Sequence, residues 1–270
     1  MGHPIAHSRS PMIHRYWLKN LHIDGDYEFA DIAPENFEAF FSSLAQNGFV
    51  GGNVTVPHKE TAYRLVHAMD DAAKAIGAVN TVWLQDGHMV GGNSDAHGFI
   101  RNLDEGAPGQ HFTCERAVIL GAGGAARSAT YALIQRGVQV TLVNRTVERA
   151  EKLAQHFGAG TQVATLAELP ALLAQADLLV NCTSQGMMGK PALEIDLGPL
   201  KSTAVVYDVV YVPLETGLLA AARKRGLRTA DGLGMLLYQA GFGFQKWFGV
   251  TPEVTAELRA LVEADIVAKT

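Results

Sequence analysis

Residues 116–149, RAVILGAGGAARSATYALIQRGVQVTLVNRTVER, constrain the fold more than any other stretch. They read as an apolar strand, a glycine turn, a helix, and a second apolar strand over 138–143. Val118, Ile119 and Leu120 lead into Gly121-Ala122-Gly123-Gly124-Ala125-Ala126, which fits the G-x-G-x-x-G/A fingerprint. Gly121 permits the tight strand-to-helix turn, Gly123 lets backbone N–H groups approach a pyrophosphate, and Ala126 allows close helix–strand packing. The helix that follows aims its N-terminal N–H groups and the positive end of its dipole at that anion. The competing reading is a structural glycine turn with no ligand; the strand–turn–helix context and the closing strand favour a dinucleotide.

The end of the second strand selects the dinucleotide. NAD enzymes usually place an Asp or Glu there, roughly 20 residues past the glycines, to bind the ribose 2′-hydroxyl. This chain offers Asn144, Arg145 and Thr146, with Arg149 close behind. A carboxylate repels a 2′-phosphate, whereas a guanidinium binds it through charge-assisted hydrogen bonds. NADP is therefore expected, the alternative being that both arginines are solvated loop charges.

The 270 residues suffice for two ordinary domains. A net charge of −5 without basic runs argues against nucleic acid as a partner. No apolar run approaches the roughly 20 residues that span a membrane, and the opening MGHPIAHSRS lacks a signal-peptide core. Two cysteines, Cys114 and Cys182, make neither a disulfide scaffold nor a metal spacing, and the histidines form no acid-backed H-x-x-x-H pair, so no metal is expected. The expectation is a soluble cytoplasmic protein.

Along the chain, Ser10-Pro11 marks a helix start with Ser10 as N-cap. Ser8 and Ser10 then put two hydroxyls beside a helix N-terminus, a place for a small carboxylate; alternatively, they serve only the cap and turn. A strand is expected over 27–32 and a helix from Phe37 to near Gly48. The run Asn53-Val54-Thr55-Val56-Pro57-His58-Lys59 ends a strand with a lysine at the mouth of a helix, where α/β folds put ligand chemistry, although a single lysine is commonly a solvated charge. Asp86-Gly87 between apolar runs predicts a hairpin. It leads to Asp95, which as a plain N-cap would begin the next helix. Residues 103–115 read as a linker. Helices are expected over 147–157, 166–174 and 217–225, and buried strands over 178–180 and 204–207. Those strands end in Asn181-Cys182-Thr183-Ser184 and Asp208-Val209-Val210-Tyr211, where the nicotinamide half of a cofactor would lie. Residues 231–235, Asp-Gly-Leu-Gly-Met, suggest a hinge before closing helices over 236–248 and 252–268. Gln239, polar within an apolar run, is either a ligand contact or a helix-surface glutamine.

These segments resemble the shikimate dehydrogenase family over essentially the whole chain. The carrying motifs are HSRSP (7–11), NVTVPHK (53–59), GAVNTV (77–82), GGNSDAHGF (91–99), GAGGAARS (121–128), NRT (144–146), NCTSQGM (181–187), DVVYVPLET (208–216) and DGLGMLLYQA (231–240). The resemblance implies an α/β fold: a substrate-binding domain from residues 1–96 and 236–270, a Rossmann-type NADP domain over 97–235, and C-terminal helices returning to the first. It implies reversible reduction of 3-dehydroshikimate to shikimate, with Lys59 and Asp95 as the catalytic pair. Ser8, Ser10, Thr55, Asn80, Asp95, Tyr211 and Gln239 would hold the substrate. Gly121, Ala122, Gly123, Gly124, Ala125, Asn144, Arg145, Thr146, Arg149, Thr183, Val209, Gly232 and Met235 would hold NADP.

Three departures from the family pattern stand out. The family opens with a β-strand before its Gly-x-Pro turn, whereas this sequence opens at Met1-Gly2-His3-Pro4, so that strand is either missing or precedes the given chain. Ser94 replaces the usual threonine, and His14-Arg15 the usual His-Asn. Three other readings compete. An NAD-dependent quinate/shikimate dehydrogenase is opposed by Arg145 and Arg149. A glutamyl-tRNA reductase-like enzyme would need a nucleophilic cysteine in the N-terminal half. A non-catalytic protein on this scaffold would have no use for both Lys59 and Asp95.

Overall fold

A computed structural model describes residues 1–6, 8–106 and 113–269. Cα packing divides the chain into two units: Met1–His97 with Leu237–Ala264, and Gly98–Leu236 with Asp265–Thr270.

In the first unit, helix α1 (Ser10–Asn20) buries Ile13, His14, Trp17 and Leu18 on one face. Helix α2 (Phe37–Ser42) buries Phe37 and Phe41. The sheet combines β1 (Gly51–Asn53), β2 (Ala68–Met69), β3 (Thr81–Gln85) and β4 (His88–Gly92) in the order β1-β3-β4-β2. The β3–β4 hairpin turns on Asp86 (φ 50°) and Gly87 (φ 80°), both left-handed as an Asp-Gly two-residue turn requires. Helix α3 (Lys59–Leu65) follows β1, and α4 (Asp71–Ile76) is capped by the Asp70 carboxylate, which accepts the Ala73 N–H at 2.6 Å. Helix α5 (Ser94–Gly106) leaves β4 directly and runs on through the first four residues of the expected linker; residues 107–112 of that linker lie outside the described part. Phe37, Phe41, Leu44, Val54 and Val82 form the core of this unit.

The opening residues hold a lane beside this sheet. Gly2 pairs with Asp31, the Ile32 N–H donates to the Gly2 carbonyl at 3.0 Å, and the Thr55 N–H donates to the Met1 carbonyl at 2.9 Å. The strand expected over 27–32 is reduced to that one bridge, because only its Asp31 end meets a partner.

The second unit holds six parallel strands: β5 (Arg116–Leu120), β6 (Gln139–Val143), β7 (Thr161–Ala164), β8 (Leu178–Asn181), β9 (Val205–Asp208) and β10 (Arg228–Ala230), in the order β10-β9-β8-β5-β6-β7. The order reverses between β5 and β8, which places the ligand crevice of a doubly wound sheet outside the C-terminal ends of those two strands. Helices α6 (Gly124–Ile134), α7 (Val147–Phe157), α8 (Leu169–Leu173) and α9 (Gly217–Lys224) connect the strands. Gly158 closes α7 as expected, with φ 68°.

Two closing helices depart from their expected starts. Helix α10 (Gly232–Phe248) absorbs the expected hinge, because the Asp231 carboxylate accepts the Gly234 N–H at 3.0 Å and caps the helix four residues early. Helix α11 (Ala256–Ala268) starts late, because the Thr255 hydroxyl accepts the Leu258 N–H at 3.1 Å.

Candidate active site

Lys59 begins α3 immediately after the strand-end proline turn, and Asp95 lies in the first turn of α5. Lys59 Nζ donates to Asp95 Oδ2 at 2.7 Å, and the two side chains are 29% and 20% exposed. The pair is sheltered enough to strengthen the contact and open enough to exchange protons with solvent. Asp95 does not cap its helix, since its own N–H donates to Asn93 Oδ1 at 3.1 Å. Its second oxygen is held instead by Asn80 Nδ2 at 2.8 Å. Asn80 is buried, and its Oδ1 accepts the Ser94 N–H at 2.7 Å, so the amide ties the residue before β3 to the start of α5. Ser94 Oγ donates to Gln239 Oε1 at 3.0 Å, which brings Gln239 of α10 into the same cluster. Gln239 is 9% exposed, so it is not a helix-surface residue.

A separate pocket in the same unit is lined by Ser8, Ser10, Tyr27, Asn53 and Thr55. Ser10 proves not to be the helix cap: that position falls to Arg9, which makes no side-chain cap, while Ser8 Oγ accepts the Ser10 N–H at 3.3 Å. Both serine hydroxyls therefore face a pocket at an uncapped helix N-terminus, where orphan N–H groups favour an anion. The Tyr27 hydroxyl donates to Asn53 Oδ1 at 2.8 Å, and burial pushes the Tyr27 phenol above its ordinary range. Behind it, His14 stacks on Tyr27 at 4.2 Å and is fully buried.

In the second unit, the fingerprint turn has the geometry its glycines require. Gly121 adopts φ 107°, and a Cβ there would press on the Cys182 carbonyl at 3.1 Å. Gly123 heads α6 in extended conformation with no side-chain cap, and a Cβ on Gly123 or Gly124 would meet nothing within 4 Å. The helix end is thus an open cradle of backbone donors, flanked by Ala122 and Ala125, which fits a pyrophosphate. At the end of β6, Asn144 Nδ2 donates to the Thr146 carbonyl at 2.7 Å, and Arg145 and Arg149 are exposed. The three residues that follow the strand, Asn144, Arg145 and Thr146, carry no carboxylate to repel a 2′-phosphate.

The ends of β8 and β9 are tied together by buried Asp208. Its carboxylate accepts from Asn181 Nδ2 at 2.9 Å, Thr216 Oγ1 at 2.7 Å and the Val210 N–H at 3.0 Å, and burial raises its pKa against those bonds. Asn181 in turn accepts both the N–H and the hydroxyl of Thr183, at 3.0 and 2.7 Å. Thr183, Val209 and half-buried Tyr211 are carried on these loops, and Gly232 and Met235 are buried in the first turn of α10.

Sequence reasoning did not single out Tyr27, Asn53, Asp208 or the buried Thr81. Asn53 stood inside the quoted NVTVPHK motif and Thr81 inside GAVNTV, but neither carries a charge or a spacing that marks it. Among the described residues, no cluster of His, Cys, Asp or Glu is arranged to hold a metal, and no helix is long and apolar enough to cross a membrane.

A chain that combines a parallel sheet ending in a glycine-turn cradle with a unit holding both a lysine–carboxylate pair and a polar pocket is a nicotinamide-nucleotide oxidoreductase. Comparison with known proteins narrows the class. Residues 1–82 match the shikimate dehydrogenase substrate binding domain, and residues 107–191 match the shikimate/quinate 5-dehydrogenase domain. The shikimate dehydrogenase (NADP(+)) of Mesorhizobium japonicum is 56% identical over 269 residues, covering 99% of this chain and 96% of that protein. The shikimate 5-dehydrogenase of Thermus thermophilus, solved with NADP(H) and shikimate, superposes with a TM-score of 0.85 at 34% identity, covering 100% of this chain and 97% of the other. The quinate dehydrogenase of Corynebacterium glutamicum, solved with NAD, gives 0.89 at 30% identity, covering 97% and 96%. The chain belongs to the shikimate dehydrogenase family.

Proposed function

We infer that this chain catalyses the reversible, NADP-dependent reduction of 3-dehydroshikimate to shikimate. The observation that carries the reading is the Lys59–Asp95 contact of 2.7 Å, placed in the unit that also holds the Ser8/Ser10 pocket. NADPH, when bound, supplies the hydride. Gly121, Ala122, Gly123, Gly124 and Ala125 would cradle its pyrophosphate, and Asn144, Arg145, Thr146 and Arg149 its 2′-phosphate. Thr183, Val209, Gly232 and Met235 would line the nicotinamide side.

The remaining work falls to the chain's own side chains. Ser8 and Ser10 hold the ring carboxylate, while Thr55, Asn80, Tyr211 and Gln239 position the ring substituents. As the C3 carbonyl oxygen gains negative charge, the Lys59 ammonium donates a proton to it. Asp95 aims that ammonium, and Asn80 pins the carboxylate oxygen that faces away from the lysine. In the reverse direction, neutral Lys59 takes the hydroxyl proton. The partial exposure of the pair lets solvent restore the proton after each turnover. The setting this implies is cytoplasmic aromatic amino-acid (chorismate) biosynthesis, with the chain acting as a monomer or homodimer.

Lys59→Ala tests the assignment. Turnover should fall by about 10²- to 10⁴-fold while shikimate binding stays near wild type. Wild-type-like turnover would remove Lys59 from the chemistry. A panel of shikimate and quinate, each with NADP and NAD, separates this reading from an NAD-dependent quinate dehydrogenase.

A further inference from the structure

The hydrogen bonds that hold Asp95 and Gln239 converge on a residue with no assigned role. Thr81 opens β3, pairs across the sheet with Asn53 on one side and Gly92 on the other, and is completely buried. Its hydroxyl has three polar neighbours: Asn53 Nδ2 at 3.0 Å, Ser94 Oγ at 3.0 Å and Asn80 Oδ1 at 3.1 Å. A hydroxyl has one proton and two lone pairs, and an amide nitrogen only donates. Asn53 therefore occupies a lone pair, and the single Thr81 proton is directed toward the Ser94–Asn80 side.

That direction propagates. Upstream, Tyr27 donates to Asn53 Oδ1 at 2.8 Å, which fixes which end of the Asn53 amide faces Thr81. Downstream, Asn80 Oδ1 accepts the Ser94 N–H, so Asn80 Nδ2 is the end turned to Asp95 Oδ1 at 2.8 Å. Ser94 Oγ accepts from Asn80 Nδ2 at 3.0 Å and lies 3.0 Å from the Thr81 hydroxyl; with Thr81 donating as well, both its lone pairs are taken and its proton goes to Gln239 Oε1 at 3.0 Å. That bond makes Oε1 the end of the Gln239 amide turned to Ser94 and the NH₂ its opposite end. One run of bonds, buried at its centre and half-buried at its ends, thus links the Tyr27/Asn53 wall of the carboxylate pocket to the acid–base pair.

We propose that Thr81 is a positioning residue. Its buried hydroxyl braces Asn80 Oδ1 and Ser94 Oγ, so that Asn80, already oriented by the Ser94 N–H, stays against Asp95 and the Ser94 proton stays on Gln239, whose donor end is left for the substrate. The proposal rests on the shikimate dehydrogenase reading. Wild-type turnover reports on that reading, whereas the ratio of variant to wild type, in turnover and in shikimate binding, reports on Thr81.

Thr81→Val removes the hydroxyl and keeps the shape. It leaves the Asn53 amide and Ser94 short of a buried partner, a loss that corresponds to about 10- to 100-fold. Expected are a fall of that size in kcat, a rise of about tenfold in the shikimate KM and in its Kd by titration, and an NADP KM within about twofold of wild type. Thr81→Ser should restore kcat to within about threefold. Ser94→Ala cuts the next link and should give a similar loss; the double variant should be no worse than the poorer single, since both break one run. Three results would each overturn the proposal: a Thr81→Val kcat and shikimate Kd within twofold of wild type, losses that multiply in the double variant, or an NADP KM that rises in step with the shikimate KM. If Thr81→Val fails to fold, Thr81→Ala, which also removes the hydroxyl, takes its place beside Ser94→Ala and their double variant under the same criteria.

Discussion

Burial of His14 makes a sharp pH-dependent prediction. The imidazole is fully buried among Trp17, Tyr27, Phe244 and Trp247, and neither ring nitrogen reaches hydrogen-bonding geometry with a described residue. Burial lowers its pKa from 6.5 to about 3. The Asn53 side chain pulls the other way, but weakly, because its amide is committed to Tyr27 and Thr81. A base whose folded pKa is depressed leaves stability intact above its unfolded value and removes it as pH falls toward the folded value. Below pH 6.5 the unfolded chain binds a proton that the folded chain refuses, at about 1.36 kcal/mol per pH unit. At pH 5 the loss is roughly 2 kcal/mol, and it hardly depends on whether the folded pKa is 3 or 4. His14→Phe deletes the titrating group and keeps a flat ring against Tyr27. Urea unfolding of both proteins at pH 7.5 and pH 5.0 measures the effect, since all other titrations cancel in the difference. The variant's stability relative to wild type should improve by about 2 kcal/mol between the two pH values, whatever packing penalty it carries at pH 7.5. Parallel pH dependences for the two proteins would refute the reasoning, because they would mean His14 is protonated as readily folded as unfolded.

Other perturbations read the second unit. Replacing Arg145 and Arg149 together by alanine should raise the NADP KM by about 10- to 100-fold while changing the NAD KM little, as initial rates with each cofactor would show. Gly232→Ala drives a methyl into the Val209 carbonyl, which is backbone and must move, so the variant should lose stability and bind NADP more weakly; a thermal melt with and without NADP checks both. Asp208→Asn probes a carboxyl group whose pKa burial has raised. A raised folded pKa gives stability that is present at low pH and lost as pH rises through that value, so the melting temperature of the variant relative to wild type should climb between pH 4.5 and pH 7.5.

What the sequence discloses is what is encoded locally. The fingerprint turn, the Asp-Gly hairpin and the Gly158 stop each depend on a few neighbouring residues whose backbone preferences leave one solution. The arginines at the end of β6 are legible for the same reason, since strand register alone places them beyond the last ladder pair. Lys59 is different. Read by itself it is an ordinary charge, and only the resemblance joins it to Asp95, 36 residues away. Tyr27, Asn53 and Thr81 are harder still, because a strand-flanking tyrosine, an asparagine and a buried threonine become a relay only through pairings that span 26 and 28 residues. The early start of α10 was hidden by glycine: two glycines in five residues read as a hinge, while the Asp231 cap that makes them helical is one hydrogen bond at 3.0 Å.

The two units solve one mechanical problem in the same way. Each must hold side chains at strand ends, where the ladder stops and backbone bonds no longer fix the chain. In the first unit an asparagine, a threonine and a serine bind β3 to the start of α5; in the second, an asparagine, an aspartate and a threonine bind β8 to the loop after β9. Apolar packing alone would hold these loops loosely, because it is indifferent to small rotations. A buried hydrogen bond is not: its net gain when made is about 1 kcal/mol, but leaving one partner unsatisfied costs about 1–3 kcal/mol. The penalty for misalignment thus exceeds the reward for alignment, and that asymmetry restricts each loop to a narrow range of positions. On this argument the polar clusters serve precision more than stability, and a substitution that keeps their hydrogen-bond count while changing their geometry should damage turnover well before it lowers the melting temperature.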